Sequence, residues 1–369
     1  MEINVNKNDF IKGLNAVSKA VPSKTTMSIL ECILLDASKG YIRLVANDTE
    51  LGIQTIISGE IVEKGIVALD AKNIVDIFRK ASGDIVNIKV DDTYKTTITY
   101  DKGTICIVGK DAETFTDIPF MKREEVMEVT QFTLKELIRQ TIFSVGNNDT
   151  NKILGGELFQ IKDGYFKVMS LDGQRVSIRK VEIEDKTIDK KVIIPGKSLN
   201  ELIKIMEGDT TKYVSIFFMP NHVIFEFEDT TVVTRLIEGE YFNIDNILST
   251  DYETKVNINK KDFADCLDRS TLMVREGDKR PVILNFTNDS MNLKINSVIG
   301  SMSENIDIEK EGADIMIGFN PKFLMDALRV IDQETVDLYF VNPKAPCFIR
   351  DKQDSYTYLV LPINFTNVN

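Results

Sequence analysis

The sequence predicts an α+β protein built of three repeated domains, each with two helices packed on sheets. Two helical patterns recur at the spacing of a whole small domain. One places an acidic residue before an apolar one, at Asp9-Phe10, Glu136-Leu137 and Asp262-Phe263, with the apolar residues 127 and 126 apart. The other opens on a lysine, at Lys72, Lys197 and Lys322, spaced by 125 and 125. Solenoid units run to only about 20–50 residues, so this period is a domain copied twice. Between the helices lie stretches of period-two alternation, the signature of strands.

Taken in order, each third opens on a strand (residues 3–6, 128–133 and 255–259) that feeds a first helix. In the first copy Phe10, Leu14, Val17 and Val21 form one apolar face, with Lys12 and Lys19 elsewhere. Strands follow, such as residues 41–45 and 165–169, and a further strand, as in 192–195, leads into the second helix. There Ile74, Ile77, Phe78 and Ala81 are apolar and Lys72, Asp76, Arg79 and Lys80 are not. More strands close the unit, for example 213–218 and 223–227 around the turn at Pro220-Asn221. Each third therefore holds βαβββ twice. Two helices cannot cover both faces of that much sheet, so they are expected on one side of it. The domains are expected at 1–124, 125–252 and 253–369.

With 369 residues and 43% hydrophobic content, each third can bury its own core. No apolar run approaches about 18 residues, and the chain opens on a strand, so neither a membrane span nor a signal peptide is expected. Cys32, Cys106, Cys266 and Cys347 are scattered through apolar patterns without a Cys-x-x-Cys pair. They read as reduced cysteines of a cytoplasmic protein. The net charge of −12 argues at first sight against nucleic acid. Its distribution argues otherwise: the six repeated helical segments carry a net +7 and leave −19 to the rest. One surface is basic and the other acidic.

Catalytic chemistry is missing. His222 is the only histidine, and it stands by a turn, where a triad has nothing to build on. Zinc sites need Cys and His clusters that the chain lacks. Gly196-Lys197-Ser198 resembles the end of a phosphate-binding loop, but position 191, where that motif needs glycine, is Lys191. No cofactor and no metal are expected, and the protein is not expected to be an enzyme. One segment departs from its sister copy. At the spacing of 124 set by Tyr41 and Tyr165, Leu51 corresponds to Arg175, so the fold itself requires no cation there.

Four runs stand out: residues 19–26 (Lys-Ala-Val-Pro-Ser-Lys-Thr-Thr), Asp172-Gly173-Gln174-Arg175, Ile317-Gly318-Phe319-Asn320, and Tyr358 through Leu361-Pro362. With the three repeats, they resemble one family, the β subunits of bacterial DNA polymerase III, which are the replicative sliding clamps. The resemblance spans essentially the whole chain. It implies a head-to-tail homodimer, a ring of six domains whose helices line a hole for duplex DNA. It also implies binding to replicative DNA polymerase, clamp loader and other proteins that carry short clamp-binding peptides, with no membrane partner. The ring would slide without reading sequence, because phosphate contacts carry none.

By resemblance and charge, Lys12, Lys24, Arg79, Lys80, Lys152 and Lys197 are the expected DNA-facing cations. The expected peptide pocket comprises Leu154, Leu171, Gly173, Gln174, Arg175, Val176, Phe242, Asn246, Ile247, Phe323, Pro346, Leu359, Val360, Leu361, Pro362 and Ile363. Here Gln174 stands where the family often has histidine, Phe242 where it often has proline and Asn246 where it often has arginine. The chain also runs on past Phe365 to Asn369. Arg175 is expected as a guanidinium at the edge of an apolar cleft, facing a polar or acidic group of the peptide. The dimer seam is expected to set Ile105 and Ile107 of one copy against Leu272 and Met273 of the other. Two rival readings are a monomeric repeat-domain scaffold that encircles nothing and a hydrolase built on the abundant carboxylates.

Overall fold

A side chain that accepts from free backbone amides starts most of the helices. The computed structural model describes residues 1–119, 122–123, 126–146, 151–244, 247–248, 251–274, 280–351, 353 and 355–365. Its helices are α1 (Lys7–Val17), α2 (Ala71–Lys80), α3 (Gln131–Arg139), α4 (Gly196–Ile205), α5 (Lys260–Thr271) and α6 (Pro321–Val330). Asn6, Asp70, Asn259 and Asn320 cap α1, α2, α5 and α6 by accepting from amides of the first turn. Each such cap satisfies a donor that the helix leaves free.

The strand–helix order repeats as expected. The middle third runs Val126–Thr130, α3, Gly156–Lys162, Tyr165–Leu171, Arg175–Glu182, then Lys190–Pro195, α4, Tyr213–Phe218, His222–Phe227, Thr230–Arg235. The last third has the same order, with one long strand, Ser301–Gly312, in the fifth place. The first third divides that strand into Leu51–Ile57 and Gly59–Glu63. A Cβ on Gly59 would stand 2.7 Å from the Asn4 carbonyl oxygen, so the chain there passes too close for a side chain.

One register differs from the expectation. The opening strand of the middle third ends at Thr130, not at 133, and α3 begins at Gln131. Thr130 Oγ1 accepts from the Thr133 amide at 3.1 Å, an N-cap in all but the element boundary. The buried residues Phe10, Leu14 and Val17 of the first copy correspond to Leu134, Ile138 and Thr141, and to Phe263, Leu267 and Ser270. The counterpart of Phe10 is thus Leu134 rather than Leu137, one helical turn earlier. Leu134, Leu137 and Ile138 share one face, so the apolar period fits either turn and strand pairing decides. Val21, expected on the α1 face, follows a 3-10 turn (Ser18–Ala20) in extended conformation.

The chain forms two compact units, Met1–Lys135 with Lys197–Leu236, and Glu136–Gly196 with Ile237–Asn369. The first unit holds a five-stranded and an eight-stranded sheet, and the second a twelve-stranded sheet. In the first, Leu51–Ile57 pairs antiparallel with Thr230–Arg235, with Leu51 opposite Thr234. In the second, Arg175–Glu182 pairs antiparallel with Tyr356–Val360, with Arg175 opposite Val360. These positions are 124 and 126 residues apart, so both joints are copies of one joint. Two edges of the same kind stay unpaired among the described residues. Gly103–Val108 is the outer strand of the five-stranded sheet, and residues 301–307 pair only with Ser290–Asn296.

Glu157 is fully buried in the second unit, and neither carboxylate oxygen has a hydrogen-bond partner among the described residues. Burial pushes its pKa well above the usual carboxylate range. The folded state then binds the proton more tightly than the unfolded chain does. Its contribution is fully present below the ordinary carboxylate pKa and is lost as pH rises towards the folded value. Glu157→Gln is therefore expected to raise the melting temperature at pH 8 more than at pH 4.5. Equal shifts at both pH values would show that Glu157 is ionised in place.

Candidate partner-binding face and basic helix surface

The strands that join the last third to the middle one build an apolar face opposite their helices. Alternation sends Val176 and Leu359 to this face and Arg175 and Val360 to the other. Leu158, Leu171, Val176, Ile178, Tyr241 and Leu359 pack together there, with Ile153, Leu154 and Leu248 at the margin. Phe242, Ile247 and Leu361 stay exposed, and the Phe242 ring meets Tyr241 edge-on at 6.1 Å. Gly173, at φ +90°, forms the turn beside it, where a residue with a Cβ is strained. Pro346, Pro362 and Ile363 are half-buried. Asn246 lies outside the described residues.

Arg175 is placed differently from the expectation. Its side chain is nine-tenths buried. Nε donates to Asp172 at 2.9 Å, Nη1 to Asp326 at 2.7 Å and Nη2 to the Phe143 carbonyl at 2.6 Å. The guanidinium also lies 4.3 Å from the Phe323 ring centroid. Two carboxylates and a carbonyl already use the donor fork, so Arg175 braces the turn against α6 and presents no free cation. Val360, fully buried, belongs to the core of the last third and not to the apolar face. Asp326 and Phe143 carry this arrangement, and nothing in their spacing announced it.

The tail is held by its backbone. The Leu361 amide donates to the Gln174 carbonyl at 2.9 Å, and the Ile363 amide to the Gly318 carbonyl at 2.8 Å. A Cβ on Gly318 would meet the Phe365 ring at 2.7 Å, which explains the glycine in Ile317-Gly318-Phe319. Residues 366–369 lie outside the described residues.

All six expected DNA-facing cations are exposed. Three are held by neighbours. Lys12 Nζ meets Glu207 at 2.7 Å, Lys197 Nζ meets Asp48 at 3.2 Å, and Arg79 donates to Asn15 at 3.0 Å. Lys12 and Lys212 together hold the Glu207 pKa down to about 2. Lys24, Lys80 and Lys152 make no ion pair among the described residues. At the expected seam positions, Ile105 and Ile107 are half-buried on the unpaired edge strand, and Leu272 is 70% exposed just past α5.

His222 starts a strand, and burial beside Arg235 lowers its pKa. Among the described residues no group of three or more His, Cys, Asp or Glu is placed to hold a metal. No helix among the described residues is long and apolar enough to cross a membrane.

Comparison with known proteins agrees with this geometry. Three family models match in succession: the N-terminal domain of the DNA polymerase III beta subunit over residues 1–119, the central domain over 128–243 and the C-terminal domain over 245–364. The beta sliding clamp of Staphylococcus epidermidis is 33% identical, over 98% of this chain and 99% of that protein. A crystal structure of a putative DNA polymerase III beta subunit from Eubacterium rectale is 56% identical, with a TM-score of 0.95 and 99% of each chain covered. The sliding clamp of Bacillus subtilis is 29% identical, with a TM-score of 0.94, covering 99% of this chain and 100% of that one. Three successive domains, each with helices packed on strands that join into larger sheets, put the chain in the class of sliding clamps. The chain belongs to the DNA polymerase III beta-subunit family, the bacterial sliding clamps, and is a non-catalytic processivity subunit.

Proposed function

We propose that this clamp closes as a head-to-tail homodimer around duplex DNA, slides on it, and tethers polymerase through the apolar face described above. The observation that carries this reading is the pair of unpaired edges. Gly103–Val108 corresponds to Thr230–Arg235, and residues 301–307 to the strand that opens at Leu51. Within the chain those two kinds of strand pair with each other, so a second copy supplies what each edge lacks. Side-chain contacts follow the same logic. Phe143 packs on Tyr358 at 5.7 Å, and their counterparts by spacing are Leu272 and Ile105. Ile105 and Ile107 of one copy then pack on Leu272 and Met273 of the other. The three domains are taken as 1–124, 125–252 and 253–369.

The DNA surface comprises Lys12, Lys24, Arg79, Lys80, Lys152 and Lys197. Because several of these already have carboxylate or amide partners, direct affinity is weak. A dissociation constant of about 10⁻⁶ M or poorer is expected, rising steeply with salt. The partners are duplex DNA, replicative polymerase, a clamp loader that opens the ring, and other proteins with short clamp-binding peptides. The compartment is the cytoplasm.

Retention on DNA tests the reading. Loaded on a closed circle, the clamp is expected to stay in salt that strips ordinary binders, and to leave when the circle is cut. Release from intact circles as fast as from linear DNA would rule out encirclement. A single-chain mass at micromolar concentration would favour the monomeric scaffold instead.

A further inference from the structure

Both joints within the chain carry an ion pair between helix layers. Lys12 of α1 binds Glu207, which stands two residues past the end of α4, at 2.7 Å. Arg139 of α3 binds Asp332, two residues past the end of α6, at 3.2 Å, and also donates to the Val330 carbonyl at 3.3 Å. In each case a cation on the first helix of one third reaches a carboxylate behind the second helix of the next. The two cations are not at identical positions. Arg139 sits one turn further along its helix than Lys12 and spans the difference with its longer side chain.

The third copy of this arrangement has no partner within the chain. Its first helix is α5, and the alignment of Phe10, Leu134 and Phe263 sets the counterparts of Lys12 and Arg139 at Asp265 and Asp268. Both are acidic. On the other side the counterpart of Glu207 and Asp332, two residues past α2, is Ser82, and the counterpart of Val330 is Lys80. The first-helix side changes sign, while on the other side the carboxylate is lost and a cation stands two residues earlier. Asp265 is already engaged by Lys261 at 2.7 Å, and Arg79 by Asn15. Asp268 and Lys80 are exposed, and neither side chain has an ion-pair partner among the described residues.

We propose that the seam between two copies carries the same helix-to-helix latch with its charge reversed, Asp268 of one copy pairing with Lys80 of the other. This rests on the ring reading, which places the first helix of the last third beside the second helix of the partner's first third. Inversion has a specific consequence. An α5 edge meeting Glu207 or Asp332 sets carboxylate against carboxylate, so the latch favours the last-to-first seam over other pairings of domains. It adds little to affinity, as exposed pairs do, and loses its effect as salt rises.

The test is a double-mutant cycle on dimerisation, read by sedimentation of the full chain in low salt without DNA. Asp268→Lys and Lys80→Glu are each expected to weaken the dimer about three- to ten-fold. Asp268→Lys combined with Lys80→Glu should return to within about threefold of the unaltered protein, and the differences should vanish at about 1 M salt. Asp268→Asn, which keeps the shape, gives the same direction with a smaller change, and unaltered melting temperatures confirm folding. Single reversals as tight as the unaltered dimer would overturn the latch and leave the ring standing. A double reversal as weak as both singles combined would do the same. An unaltered protein that stays a single chain at every concentration would overturn the ring and the latch together.

Discussion

Replacing Leu272 and Met273 by alanine is expected to turn the ring into a folded monomer. Leu272 is 70% exposed in the single chain and Met273 only partly buried, so neither supports the fold much on its own. The proposed seam sets them against Ile105 and Ile107, on a strand whose outer edge has no partner among the described residues. Burying an aliphatic side chain contributes about 1.5–3 kcal/mol. Each substitution acts at both seams of a dimer, because each copy offers one α5 and one edge strand. Dissociation at nanomolar concentration is therefore expected, with the melting temperature of the separated chain little changed. Sedimentation across nanomolar to micromolar concentrations checks it. A double variant that remains dimeric at nanomolar concentration would place the seam elsewhere. The monomer is expected to keep its affinity for partner peptides, since the apolar face around Val176 and Leu359 lies within one unit.

Removing residues 361–369 is expected to do the opposite, sparing the dimer and weakening peptide binding. Leu361 is 40% exposed beside the apolar face, and its amide ties the tail to Gln174. Losing a couple of buried apolar contacts with a bound peptide costs about 2–4 kcal/mol, roughly 30- to 1000-fold in affinity. Phe242, where a proline is frequent in the family, is expected to narrow the rim and favour a planar aromatic anchor in the peptide. The buried state of Arg175 shifts that expectation towards apolar recognition, because Asp172 and Asp326 already neutralise its charge. Calorimetric titration of a polymerase C-terminal peptide against the intact and shortened proteins measures the difference. Equal affinities in a shortened protein that is still dimeric would mean that partners dock away from this face.

Much of the fold was legible because it is local and repeated. Period-two strands, capped helices and a spacing near 125 residues are written in neighbouring residues, and three copies reinforce one another. The family likeness of the Asp172–Arg175 turn and the Tyr358–Pro362 ending also pointed to strands whose side chains pack into one apolar face, Val176 and Leu359 among them, though it set Val360 there too. The turn of α3 that matches Phe10 was not. Leu134 and Leu137 both fit a helical face, and only pairing of Val126–Thr130 with Tyr213–Phe218 chooses between them. The role of Arg175 was also hidden, because Asp326 is 151 residues away along the chain.

By itself, then, the sequence determined a strand–helix order repeated three times and the capped, amphipathic helices within it. These depend on side-chain period, composition and spacing, which need no knowledge of distant neighbours. Tertiary structure alone decided that each outer third zips onto half of the middle one, that Arg175 is a brace and not a free cation, and that Glu207 and Asp332 hold helix cations. Those outcomes turn on which strand edges meet and which charges come within a few ångströms. Contacts between residues 150 to 200 positions apart leave no periodic trace, because the chain between them is free to vary without changing the meeting point.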